Sequence, residues 1–173
     1  VGSEMCIRDR CEIPSGNTYA KRVAAAALDV LGRRDEFGYV TYGYGPQGDY
    51  WVVPLQEIGS NRERIRGLID QAATGDMPAF DPGLRLAFEA LRKSDAAIKH
   101  IVVLSDADPQ PWTSGVVKPI ADAKITISAY AIFPHGSSDL PVMQDLARAG
   151  KGNYDLVDDP EKLPRIFIKE AKK

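Results

Sequence analysis

The feature that most constrains this chain is a pair of apolar runs, His100–Leu104 (HIVVL) and Ile125–Ile132 (ITISAYAI). A strand with one wet face alternates apolar and polar residues. A run that is apolar nearly throughout belongs to a strand covered on both sides, as in parallel sheets flanked by helices.

The surrounding segments supply those helices. Thr18–Leu31 puts Val23, Ala27, Leu28 and Leu31 on one stripe, with Ser15 or Asn17 as cap and Gly32 at its end. Arg62–Ala73 spaces Ile65, Leu68, Ile69 and Ala72 helically. Pro82–Arg92 does the same with Leu84, Ala87, Phe88 and Leu91, with Asp81 as N-cap and Pro82 in the first helical position. Thr113–Ala123 reads as a helix with Pro119 interrupting its interior, starting either at Thr113 or only near Val116. Leu140–Ala149, ended by Gly150, and Pro160–Ala171 complete the helices. Phe37–Tyr42 and Tyr50–Leu55 read as strands of an antiparallel hairpin around the loop Gly43–Asp49, and Tyr154–Val157 as a short strand. The fold class expected is α/β: a doubly wound, mostly parallel central sheet with one antiparallel edge strand. The opening helix needs a strand before it, and only Cys11–Ile13 remain to supply one, so the first strand is expected to be truncated.

The 173 residues suit one domain. A net charge of -2 argues against a nucleic-acid binder. No apolar run approaches the roughly 18 residues of a membrane span. Cys6 and Cys11 are the two cysteines, too few for a disulfide scaffold or a structural zinc site. Residues 1–10, VGSEMCIRDR, carry no amphipathic period and resemble an adaptor-derived peptide. They are expected to be a non-native tail on a single domain, 11–173, taken from a longer protein.

Gly43-Tyr44-Gly45-Pro46-Gln47-Gly48 matches the G-x-G-x-x-G spacing, but a strand follows where a dinucleotide site needs a helix, so these glycines are hairpin residues. Ser105-Asp106-Ala107-Asp108-Pro109 follows directly on HIVVL, where open α/β sheets bind ligands. Its carboxylates suit a hard cation or a turn. Met77 and Phe80 stand in an otherwise polar loop, as exposed contacts or as core. Ser105, Asp106 and His135 form a conceivable hydrolase triad, but no G-x-S-x-G elbow exposes Ser105.

The element order, the hairpin FGYVTYG, the stretch GDMPAFDPGLRLAFEAL and HIVVLSDAD with ITISAYAI resemble the von Willebrand factor type A domain. The resemblance implies a doubly wound fold that binds protein partners through a metal-ion-dependent adhesion site. That site uses D-x-S-x-S after the first strand, a threonine before the third helix and an aspartate after the fourth strand. The first motif falls on Glu12-Ile13-Pro14-Ser15-Gly16, the threonine position near Pro78 or Ala79, and the aspartate on Asp106. Proline, glycine and alanine offer no side-chain oxygen. The implied set is therefore degenerate: Glu12, Ser15 and Asp106, with Mg²⁺ as the only cofactor in question and otherwise none.

The resemblance is strongest to bacterial, membrane-associated members. It implies a non-catalytic protein-interaction module within a membrane-associated parent protein. The partner surface expected comprises Asn17, Met77, Phe80, Asp108, Trp112 and His135, with no membrane contact from the domain itself. A metal-dependent adhesion domain and a small hydrolase are the alternatives.

Overall fold

A computed structural model describes residues 16–43, 48–73, 78–106, 110–132 and 140–157, together with Arg165. The chain runs α1 (Gly16–Val30), β1 (Glu36–Gly43), β2 (Gly48–Glu57), α2 (Arg62–Gln71), α3 (Phe80–Leu91), β3 (His100–Ser105), α4 (Ser114–Asp122), β4 (Thr126–Ile132), α5 (Leu140–Ala149) and β5 (Lys151–Val157). This is the α/β architecture expected. The helix expected over Pro160–Ala171 and the strand remnant Cys11–Ile13 lie outside the described residues.

Strands β3, β4 and β5 form a parallel sheet in that order, and β1 pairs with β2 as an antiparallel hairpin. Among the described residues these are two hydrogen-bonded sheets rather than one. The middle position belongs to β4, in which every residue after Thr126 is buried. β3 was expected to be fully buried but is partly exposed along most of its length, because among the described residues it has a neighbour on one side only.

Alternation in the parallel strands sends side chains to two faces. Ile101, Ile127 and Ala129 join Phe80, Leu84, Val116, Val117, Ile120, Met143 and Leu146 from α3, α4 and α5. Val102, Leu104, Tyr130 and Ile132 face Tyr19 and Val23 of α1. Further along α1, Ala24 and Leu28 pack with Phe37, Val53, Ile65 and Ile69 of the hairpin and α2. The Arg62 guanidinium donates to the carbonyls of Leu28 and, at 2.7 Å, Leu31. Those carbonyls end α1 without helical partners, so Arg62 closes that helix.

The structure settles two helix starts. α4 begins at Ser114, the earlier of the two starts expected, because the Thr113 carbonyl accepts from Val116 and Val117 at 3.0 and 3.1 Å. Pro119 sits inside this helix. Its missing N–H would have met the Gly115 carbonyl, and both residues are exposed, where losing that bond costs least. α3 starts at Phe80, two residues early, with Ala79 at the N-cap. Asp81 is therefore a first-turn residue and not the cap.

The junction of α5 and β5 depends on close approach. A Cβ at Gly152 would fall on the Ile127 carbonyl, and one at Gly150 on the Ile127 side chain. The positive φ at this turn is carried by Lys151, at 56°, not by Gly150. Gly152→Ala is expected to destabilise the fold by on the order of 3 kcal/mol, read as a lower urea midpoint. An unchanged midpoint would show that β5 can move away from β4.

In the hairpin, burial pushes the Tyr39 hydroxyl up from 10.0 to about 12, with Tyr50 adding to the rise and a hydrogen bond with Thr41 opposing it. A phenol whose folded pKa exceeds its unfolded one stabilises the fold below the unfolded value. That contribution is lost as pH climbs from about 10 towards 12. Urea unfolding across this window is expected to show a fall in stability that Tyr39→Phe removes. An identical fall in that variant would assign it to other groups.

Candidate functional site

At the C-terminal end of β3 the described residues are Ser105 and Asp106, with Pro78 and Ala79 ahead of α3 and Gln110 to Thr113 ahead of α4. β3 ends at Ser105, which is buried, and Asp106 follows, half-buried at the rim. The two side chains approach at 3.5 Å, from Ser105 Oγ to Asp106 Oδ1, at the outer limit of a hydrogen bond.

Three links pin the next segment. The Gln110 N–H donates to the Pro78 carbonyl at 2.9 Å, within a parallel bridge between Ala79 and Gln110. The Asp81 carboxylate accepts from the Thr113 N–H at 2.9 Å and from Thr113 Oγ1 at 2.6 Å. The Trp112 indole N–H donates to the Val142 carbonyl at 3.2 Å. The sequence from Gln110 to Thr113 is thus tied to the start of α3 on one side and to α5 on the other. Trp112 is half-buried against the apolar core and borders a cleft of about 290 Å³ with Val117, Lys118, Ala121, Ala149 and Lys151.

Set against the sequence expectations, Asp106 stands at the strand end and Trp112 beside the same surface. Phe80 is corrected. It is 1% exposed and packs under the parallel sheet, because α3 starts on it and its ring fills the core beside Leu84. It is not a contact residue. The side chains of Asn17, Met77, Asp108 and His135, and residues Glu12 and Ser15, lie outside the described residues. So does the third member of a Ser105–Asp106–His135 triad.

The fit to a cation can be tested on the residues present. Pro78 and Ala79, at the position where the resemblance places a hydroxyl ligand, offer only backbone, and that backbone is committed to Gln110. Among the described residues no three histidine, cysteine or acidic side chains converge. Asp106 is thus the one described member of the expected ligand set, and the described residues do not compose the near-octahedral oxygen shell that Mg²⁺ demands.

The link that sequence reasoning missed is Asp81 to Thr113. An aspartate ahead of a proline reads as a helix cap, and only the early start of α3 turns it towards α4.

The sequence profile of the von Willebrand factor type A domain matches residues 42–156, and the chain belongs to that family. Solved structures agree in fold. A von Willebrand factor type A protein from Catenulispora acidiphila is 21% identical with a TM-score of 0.73, over 91% of this chain and 38% of its own. An aerotolerance-related membrane protein from Bacteroides fragilis is 14% identical with a TM-score of 0.70, over 90% of this chain and 88% of its own. The conserved hypothetical protein BatB from Bacteroides thetaiotaomicron is 16% identical with a TM-score of 0.70, over 88% and 85%. Among curated proteins nothing matches.

The pinning of this surface can be measured. Asp81→Ala is expected to lower stability by roughly 1–2 kcal/mol, since it removes a charge-assisted pair. Thr113→Val, which keeps the backbone donor, is expected to cost less. Equal thermal shifts for the two would mean that the backbone bond to Asp81 contributes nothing.

Proposed function

We propose that this domain is a non-catalytic protein-interaction module of a larger membrane-associated protein, and that it engages its partner without a metal ion. The contact surface is the C-terminal edge of the parallel sheet: Asp106 and Trp112, with Asn17, Met77, Asp108 and His135 on the neighbouring segments. The observation that carries this reading is the bracing of Gln110–Thr113 by Pro78, Asp81 and Val142. A surface held before binding loses little conformational entropy when a partner docks.

The membrane association rests on likeness to proteins described as membrane proteins or as BatB. Among the described residues no helix is long and apolar enough to cross a membrane. The expected ligands Glu12, Ser15 and Asp106 are a remnant of the family's metal site, short of hydroxyl donors.

Two measurements test the proposal. Calorimetric titration with Mg²⁺ and Mn²⁺ at millimolar concentration is expected to give no heat. Saturable heat that Asp106→Ala abolishes would replace this reading with a metal-dependent adhesion domain. A photoreactive side chain at position 108 or 112, introduced in the source cells, is expected to trap a polypeptide that the same probe at Arg64 does not. Arg64 bonds Gln56 at the opposite end of the molecule. Equal trapping from both ends would sink the proposed surface.

A further inference from the structure

Among the described residues one large apolar side chain is exposed: Ile98, at 69%. It stands in the turn from Ser94 to Lys99 that leads into β3, beside exposed Ala96 and Ala97. The turn is braced. The Ala96 N–H donates to Ser94 Oγ at 3.0 Å, the Lys99 ammonium to the Ser94 carbonyl at 2.6 Å, and the Ser94 hydroxyl to the Glu36 carboxylate. A single exposed isoleucine is ordinary on a protein surface. Its neighbours are not.

The Thr126 N–H donates to the Lys99 carbonyl at 3.2 Å, and the Ile127 N–H to the Gly150 carbonyl at 2.9 Å. The entries to β3, β4 and β5 therefore lie side by side, within two strand spacings or roughly 10 Å. Each carries a lysine: Lys99, Lys124 and Lys151. Lys93 is exposed just ahead of Ser94. Arg92 and Arg148 are paired with Glu89 and Asp145, whereas Lys124 and Lys151 form no ion pair among the described residues. Asp95 and Asp122 are the other acidic side chains on these turns, so a positive excess surrounds Ile98.

The backbone under two of these lysines is costly. Lys124 and Lys151, both exposed, have positive φ, at 59° and 56°. Lys124 sits past α4 where glycine is usual: its N–H donates to the Ala121 carbonyl and that of Ile125 to the Ile120 carbonyl, each at 3.1 Å. An L residue there meets a steric cost that glycine avoids. The helix dipole favours a lysine near a C-terminus, but one in the last helical turn would gain as much with ordinary backbone.

We propose that this end of the domain rests on an anionic bilayer surface, with Ile98 in the boundary between headgroups and acyl chains and Lys93, Lys124 and Lys151 against lipid phosphates. Lysines on long apolar stems suit that boundary, and each adds attraction to an anionic leaflet. A protein partner fits less well. Interface cores favour aromatic residues and arginine and are poor in lysine. These three turns display lysine, alanine and one isoleucine, with no aromatic side chain. A chain without a long apolar run was expected to make no membrane contact itself. A peripheral contact needs only an apolar tip among cations, assembled here from turns distant in sequence. β3 finishes at the opposite end, beside Asp106, where the partner surface is placed.

The full chain is sedimented at low salt with vesicles of equimolar phosphatidylglycerol and phosphatidylcholine, and with phosphatidylcholine vesicles. Binding is expected to the anionic vesicles only. Ile98→Ser is expected to weaken it about fivefold. Lys124→Gly with Lys151→Gly is expected to weaken it at least about tenfold, with Tm level or raised because the left-handed strain is relieved. Arg85→Gln with Lys118→Gln removes the same charge from exposed mid-helix positions and is expected to change binding less than about twofold. Equal weakening by the two pairs would overturn the proposal, since net charge alone would then account for binding. So would no binding to anionic vesicles. Affinity for soluble poly-glutamate equal to that for vesicles, and unchanged by Ile98→Ser, would assign this end to an acidic polypeptide instead. No partner is present in these assays, so their failure leaves the partner surface standing.

Discussion

The structure depends on the burial of β4 from both faces. Its side chains alternate between the core under α3, α4 and α5 and the core under α1, so one strand organises two apolar layers. Such a strand has little freedom to shift, because a slip of one residue would exchange the two faces. Its hydrogen-bonding edges are committed to β3 and β5. On the β5 side the approach is closest where Gly150 and Gly152 meet Ile127, and the Ser128 hydroxyl accepts from the Asn153 N–H at 2.9 Å. These contacts hold the sheet in register up to the ends where Ser105 and Asp106 emerge.

From that base the candidate surface follows by propagation. Phe80 is anchored in the core, which places the first turn of α3 and turns Asp81 towards Thr113. Thr113 in turn starts α4, and Trp112 reaches across to α5. A residue that the loop sequence offered as an exposed contact is thus the buried support beneath the neighbouring contacts. Family membership and fold describe a type A domain, in which Pro78 and Ala79 are tied through their backbone to Gln110.

Much of this was legible in the residues. The helices at Arg62 and Leu140 came from the spacing of apolar residues, the hairpin at Phe37 from β-branched and aromatic strands around a turn-rich loop, and the strands at His100 and Ile125 from unbroken apolar runs. Local signals misled where tertiary contacts outweighed them. Pro119 reads as a breaker, but it lies inside α4 on an exposed face, where the loss of one helical hydrogen bond is tolerated. Asp81 reads as a cap because capping is a local rule, and its real partner lies 32 residues away. Nothing in the run HIVVL tells a strand at the middle of a sheet, such as β4, from one with a single neighbour among the described residues, such as β3.

By itself, then, the sequence determined the kinds of elements, their order and the faces they bury, since these follow from side-chain period and apolarity along the chain. Only the tertiary structure decided which strand sits in the middle of the parallel sheet and that Phe80 supports the surface rather than displays itself. Those outcomes depend on which distant groups meet, and the energy of such meetings is set by packing and hydrogen-bond geometry that no local pattern encodes.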